Sequence, residues 1–280
     1  MPKKSPLAGT RCGDVEFRWG ERTYIMGICN LSLDSFSGDG LGDDIETIVA
    51  QAKRQVADGA DIIDIGGEST RPTATPISTE EELQLVIPAI ERLANELTVP
   101  LSIDTYRASV ASQAVKAGAG MINDVWGLKQ DPGLAQVAAE TGVPIVLMSN
   151  QRDIPQGKNG DIVSEVISDL KQSISRALEA GIAEQNIIID PGIGFGKTVE
   201  QNLEIIRRLA ELQVLNHPIL LGTSRKFMRD RPFDQRLGAT AATIAISIAN
   251  GADIVRVHEV EPMAQVCRMS DSIVRSRSIE

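Results

Sequence analysis

Three polar side chains, Asp104, Asn123 and Asp190, each follow directly on a short apolar run in this 280-residue chain. Carboxylates and an amide at such positions can grip a flat heterocycle along an edge of N–H donors, two oxygens matching two donors as they would a guanidinium. A carboxylate left without a partner away from water is costly, so these acids need a ligand or a cation. Taken singly, an Asp at a strand end is as readily the N-cap of the next helix. For Asp104, with Thr105 behind it and Arg107 opening a helix, that plainer reading stands until convergence with Asn123 and Asp190 weighs against it.

A second chemistry lies further along. Ser224-Arg225-Lys226 follows an apolar run, and Arg256-Val257-His258 alternates so that Arg256 and His258 share one side. Cations beside hydroxyls can hold phosphate. Singly, Lys226 reads as a solvated loop charge and His258 as a hydrogen-bonded core histidine; together with Arg256 and Asn30, the anion-binding reading wins. The run Asp190-Pro191-Gly192-Ile193-Gly194-Phe195-Gly196-Lys197 adds three glycines, which let backbone approach a ligand, and Phe195, which can stack on a planar ring. By itself such a loop is weak evidence and equally a tight turn.

The elements that must position these groups are legible. Apolar runs at 24–29, 62–65, 101–103, 121–122, 144–148, 187–189, 219–221 and 254–257 read as strands. Between them, stripes at three- and four-residue spacing predict helices over 45–57, 80–97, 108–117, 134–141, 162–180, 199–212, 239–250 and 262–275. Glycine after Asp58, Ala117, Ala180 and Asn250 supplies a repeated helix exit. Eight βα units of about 35 residues suit an α/β fold of the (β/α)8 TIM-barrel type, and nearly continuous apolar strands suit a parallel sheet buried on both faces. A doubly wound open sheet is the alternative, since strand order is not written in the chain. The reading is a single domain over 1–280, with 1–14 a flexible segment and residues 15–17 pairing with 20–23 as a short hairpin that caps the barrel bottom.

In such barrels the C-terminal strand ends build the active site, with phosphate commonly held by loops seven and eight. The groups that follow the eight runs are Asn30, residues 67–71, Asp104, Asn123-Asp124, Ser149-Asn150, Asp190, residues 224–226, and Arg256 with His258. They would converge on one mouth.

Composition narrows the partners. Lys+Arg 28 against Asp+Glu 38 gives a net charge of −10, which disfavours nucleic acid and anionic lipid. The three cysteines have neither metal-ligand nor disulfide-framework spacing, so a reducing cytoplasm fits best. There is no apolar stretch of membrane-spanning length and no signal-like start.

Seven segments, in order, resemble the dihydropteroate synthase family: Met26-Gly27-Ile28-Cys29-Asn30 with Asp34-Ser35-Phe36-Ser37; Gly66-Gly67-Glu68-Ser69-Thr70-Arg71-Pro72; Ser102-Ile103-Asp104-Thr105-Tyr106; Ile122-Asn123-Asp124-Val125-Trp126-Gly127; the Asp190 glycine loop; Ser224-Arg225-Lys226; and Arg256-Val257-His258. The resemblance covers the chain from about residue 15 onward. It implies a (β/α)8 barrel, usually a homodimer, that condenses 6-hydroxymethyl-7,8-dihydropterin diphosphate with p-aminobenzoate, assisted by Mg2+ and sensitive to sulfonamides. By the same resemblance Asp104, Asn123, Asp190, Phe195 and Lys226 bind the pterin. Asn30, Thr70, Arg71, Arg256 and His258 attend the diphosphate, with Asn30 beside the metal. Phe36, Ser224, Arg225 and Phe227 face the acceptor, and Asp34, Thr70, Arg71 and Lys226 carry the catalytic work.

The chain departs from the family pattern at three points. Leu33 stands for a loop proline, Phe227 for a serine that helps receive the p-aminobenzoate carboxylate, and Ser149 for a strand-end histidine. They suggest an altered acceptor or sulfonamide pocket beside an intact pterin-diphosphate site. Two rival readings are a folate-dependent methyltransferase acting on a corrinoid protein, which has no diphosphate to hold, and a pterin-binding paralogue without synthase activity.

Overall fold

The computed structural model describes residues 7–31, 45–68, 76–152 and 160–275. A hairpin, β1 (Thr10–Cys12) and β2 (Val15–Phe17), precedes eight strands: β3 (Tyr24–Asn30), β4 (Ile62–Gly66), β5 (Leu101–Asp104), β6 (Met121–Asp124), β7 (Ile145–Met148), β8 (Ile187–Asp190), β9 (Leu220–Leu221) and β10 (Ile254–Val257). Helices α1 (Ile45–Ala57), α2 (Thr79–Glu96), α3 (Ala108–Ala117), α4 (Gly133–Thr141), α5 (Ile162–Glu179), α6 (Val199–Arg207), α7 (Phe233–Ala249) and α8 (Val260–Val274) fill the connections. The strands run parallel in the order β8-β7-β6-β5-β4-β3-β10-β9, and a parallel bridge between Ile189 and Ile219 brings β8 to β9. The barrel reading holds, and the open doubly wound sheet does not.

Alternation along each strand sorts the side chains. Ile25, Ile63, Ile65, Ile103, Ile122, Ile145, Leu147, Ile187, Ile189, Leu221, Val255 and Val257 belong to the apolar layer shared with the helices. The opposite parity, Tyr24, Met26, Ile62, Met121, Val146, Ile188, Leu220 and Ile254, joins Phe17 and Trp19 in a separate cluster that fills the lower barrel. One step above it the same parity delivers Asp64, Asp104, Asn123, Asp190 and Arg256. The barrel is therefore largely apolar below and polar at its mouth.

The hairpin does cap the bottom, but its composition differs from expectation. Val15–Phe17 pairs with Thr10–Cys12 rather than with residues 20–23, so part of the stretch expected to be flexible is pinned. Thr10 Oγ1 donates to the Gln185 carbonyl at 2.6 Å and Cys12 Sγ donates to the Gly120 carbonyl at 2.9 Å, in the segments that lead into β8 and β6. Two helices also differ. The stretch predicted over 199–212 breaks after α6 into a 3-10 helix, Leu209–Leu215, because leucines three apart stack on one face at that period. Helix α7 starts six residues before the predicted 239 and runs through Gly238.

Candidate active site

Around the mouth the predicted residues form one connected set. Arg256 lies across the barrel, donating from Nε to Asp64 Oδ2 at 2.6 Å and from Nη2 to Asp104 Oδ2 at 2.8 Å. Asn123 Nδ2 donates to the same Asp64 oxygen at 3.1 Å. On the far wall Asp190 Oδ1 accepts the Gly192 backbone N–H at 2.7 Å. Asn30, at the end of β3, flanks Asp104 across Gly66, where a side chain would meet Asp104 Cβ at 3.5 Å and Asn30 Oδ1 at 3.6 Å. Glycine there keeps the gap between them open.

Burial sets the charge balance. Asp104 and Asp190 are held above the usual carboxylate range by desolvation, opposed for Asp104 by Arg256 and for Asp190 chiefly by Lys226. The Lys226 ammonium is pushed down to about 8 by desolvation, with Asp190 acting against that. It donates to the Ile193 carbonyl at 2.7 Å and lies 4.7 Å from the Phe195 ring centre. Phe195 itself packs with Val125 and Met148 in a small apolar cluster at the mouth, and the Arg152 guanidinium also lies over its ring, at 4.4 Å.

Two close loop approaches shape that wall. A side chain at Gly192 would fall 2.1 Å from the Ser149 carbonyl oxygen and one at Gly196 2.3 Å from the Gln151 carbonyl carbon, and both glycines have positive φ. Lys197 clamps the same loops with three donated bonds, to the carbonyls of Ser149 (2.8 Å), Gly192 (3.0 Å) and Phe195 (3.2 Å). All three of its N–H groups are thus used within the protein.

On the neighbouring side Ser224 Oγ and His258 Nδ1 are 3.0 Å apart. Arg225 is ion-paired to Glu259, at 2.5 Å from Nη2. The backbone of Arg225 is left-handed, with φ 63°, and its N–H donates to Thr240 Oγ1 at 3.3 Å. Phe227 packs against the apolar layer between barrel and helices. Ser149 has the outward parity of its strand: its hydroxyl, fully buried, donates to Asp169 Oδ2 at 2.8 Å, beside Lys129. Two of the three departures from the family pattern therefore have partners of their own in the scaffold. The third, Leu33, and the predicted site residues Asp34, Phe36, Thr70 and Arg71 lie outside the described residues.

Asp64 was missed by the sequence reading, which inspected only strand ends. An acid between isoleucines, two residues before Gly66 and therefore on its face of β4, was the available signal.

The mouth gathers acids, an amide and buried cations at the ends of parallel strands, and the family model described as pterin binding enzyme matches residues 26–258. The chain is a member of that family and, within it, of the dihydropteroate synthases. It is 48% identical over 263 residues to the dihydropteroate synthase of Bacillus subtilis, covering 92% of this chain and 91% of the relative. A crystal structure of the Clostridium difficile dihydropteroate synthase in the presence of pteroic acid superposes with a TM-score of 0.87 at 45% identity, covering 92% of this chain and 99% of that one. The Yersinia pestis enzyme, solved as a sulfonamide drug complex, gives a TM-score of 0.90 at 34% identity over 96% of this chain and all of its own. These relatives do not favour the methyltransferase or the inactive paralogue.

Proposed function

We propose that this chain joins 6-hydroxymethyl-7,8-dihydropterin diphosphate to p-aminobenzoate, forming 7,8-dihydropteroate and releasing diphosphate. The observation that carries the reading is the single constellation of Asp104, Asn123, Asp190, Lys226 and Arg256 at one barrel mouth, in a chain 48% identical to a dihydropteroate synthase. The acids and amide suit the N–H edge of a 2-amino-4-oxo ring, and Met148, Val125 and Phe195 give that ring an apolar wall. Lys226 suits the ring's acceptor atoms.

In the reaction the bond between the pterin methylene and the diphosphate oxygen breaks, with the electron pair leaving on diphosphate. The aryl amine supplies the pair for the new C–N bond and loses a proton to solvent. Arg256 and His258 suit the departing negative charge, and Ser224, hydrogen-bonded to His258, fixes that ring's position. Asp34, Thr70 and Arg71 are assigned to the same steps, and Phe36, Ser224, Arg225 and Phe227 to the acceptor side, on the family pattern.

Mg2+ fits as a companion of the diphosphate. No cluster of three or more acidic, His or Cys groups forms a metal cage among the described residues, and Asn30 offers one amide oxygen at the mouth. Asn30 would be the side chain that holds such an ion, and the ion would supply charge neutralisation on the leaving diphosphate.

The chain is further proposed to act as a homodimer through α7 and α8, which pack side by side and expose Ile246, Met269 and Ile273, the last 74% exposed. A cytoplasmic setting fits three buried free thiols and small-molecule substrates. No described helix is long and apolar enough to cross a membrane. Incubating purified protein with the two substrates and Mg2+ and following dihydropteroate chromatographically tests the activity; diphosphate release without a p-aminobenzoate adduct would overturn it.

A further inference from the structure

Asp64 is fully buried in the middle of β4, and its Oδ2 receives two donors, Arg256 Nε and Asn123 Nδ2. A carboxylate oxygen that already accepts from a guanidinium has no proton to give, so the amide facing it must present nitrogen. The nitrogen of Asn123 is thereby committed inward, and its carbonyl oxygen is the end left for a ligand. Asp104 and Asp190 follow the same pattern. Each spends one oxygen on the protein, Asp104 on Arg256 and Asp190 on the Gly192 N–H, and keeps the other. Three side chains on three strands thus offer acceptors to whatever enters.

We infer that Asp64 is a specificity-determining residue: by holding the Asn123 amide nitrogen-inward, it makes Asn123 an obligate acceptor and selects pteridines carrying N–H donors at position 2 over those carrying a carbonyl there. Asp64 touches no ligand in this scheme; it is a positioning residue acting through Asn123. A 2-amino-4-oxo ring meets the acceptors with donors. A 2,4-dioxo ring of the same outline sets a carbonyl oxygen against an acceptor that cannot turn over. This inference rests on the pterin site proposed above.

Calorimetric titration of the purified protein with 6-hydroxymethylpterin and with its 2,4-dioxo counterpart, 6-hydroxymethyllumazine, tests it. The wild type is expected to favour the 2-amino ring by about a hundredfold, the upper cost of leaving one buried acceptor without a donor. In Asp64→Ala the oxygen shared by Arg256 and Asn123 is gone, which frees the Asn123 amide to turn. The preference is expected to fall to roughly tenfold or less, with the dioxo ring keeping its affinity while the 2-amino ring loses it. Equal weakening of both rings would overturn the inference and leave Asp64 as a support for Arg256 alone.

Asn123→Leu leaves the Asp64–Arg256 pair in place and serves if Asp64→Ala does not fold. It must lower the preference as well, and an unchanged ratio overturns the inference. Arg256→Lys is the contrast, expected to weaken both rings by the same factor; a ratio falling as far as in Asp64→Ala would show that charge, and not the amide, does the selecting. A wild type that binds neither ring would instead overturn the pterin site itself.

Discussion

Lys226 Nζ donates to the carbonyl oxygen of Ile193 at 2.7 Å, tying the loop after β9 to the glycine loop after β8. One bond to the protein leaves an ammonium two further donors for a ligand. Desolvation holds this group near 8, so it is charged below that pH and neutral above it. The Michaelis constant for pterin diphosphate is expected to climb as pH rises through about 8, while Lys226→Met starts roughly ten- to a hundredfold higher and loses the inflection. Steady-state kinetics between pH 6.5 and 9.5, intervals chosen at about one-half unit around that titration, check both. A wild-type profile flat across pH 8 would sink the assignment.

Lys197 is the second buried lysine and takes the opposite part: all three of its N–H groups are spent on backbone carbonyls. Burial pushes it down to about 7, well below its unfolded value. Above that pH the native state therefore binds fewer protons than the unfolded chain, so this group's contribution to stability rises as pH climbs from about 7 toward the ordinary lysine range. Lys197→Met is expected to unfold at lower temperature and to lose that component of the pH dependence. Melting temperatures of both proteins from neutral to alkaline pH decide it; parallel curves would exclude Lys197 as the titrating group.

Most of the barrel could be read from the chain because each strand is a short apolar run and glycine marks many of the helix exits. The same residues explain what was hidden. Asp64 interrupts an isoleucine run, and its meaning depends on strand parity and on Arg256, which is distant in sequence. The partner of Val15–Phe17 could not be chosen by local pattern, since Thr10–Cys12 is held by carbonyls of loops far along the chain. Phe227 reads as an acceptor-side change because it stands where the family has a carboxylate-receiving serine, and Ser149 as the loss of a strand-end histidine; what no local pattern shows is that each also has partners in the scaffold, Asp169 for Ser149 and the apolar layer for Phe227.

Ser149→Ala separates scaffold from pocket. Removing its hydroxyl leaves one oxygen of Asp169 short of a donor while Lys129 still pairs with that carboxylate. The expected loss is about 1–2 kcal/mol of stability, with the Michaelis constant for p-aminobenzoate unchanged. Chemical denaturation beside steady-state kinetics measures both. A shifted Michaelis constant at full stability would return Ser149 to the pocket.

Phe227→Ser restores the family residue. Its ring covers the apolar layer between barrel and helices, so the exchange is expected to remove about 1–3 kcal/mol by lost burial. Sulfonamide inhibition of the folded enzyme is expected to stay within about threefold of wild type, a difference of well under 1 kcal/mol. A larger gain in sulfonamide potency would show that the ring narrows the acceptor pocket.

Gly66→Ala is the smallest change that tests the mouth itself. The backbone of Gly66 is ordinary strand, and an added methyl would meet Asp104 Cβ at 3.5 Å and Asn30 Oδ1 at 3.6 Å, which is normal contact. The fold should therefore accept it, with a melting temperature close to wild type. The methyl stands between the residue assigned to the metal-bearing diphosphate and one assigned to the pterin ring, where the methylene joining the two would pass. Displacing a substrate by even one methyl group misaligns the reacting carbon, so kcat/KM is expected to fall by about a hundredfold with stability unchanged. Turnover near the wild-type level would mean that substrate does not cross between Asn30 and Asp104, and the assignment of Asn30 to the diphosphate would fall with it.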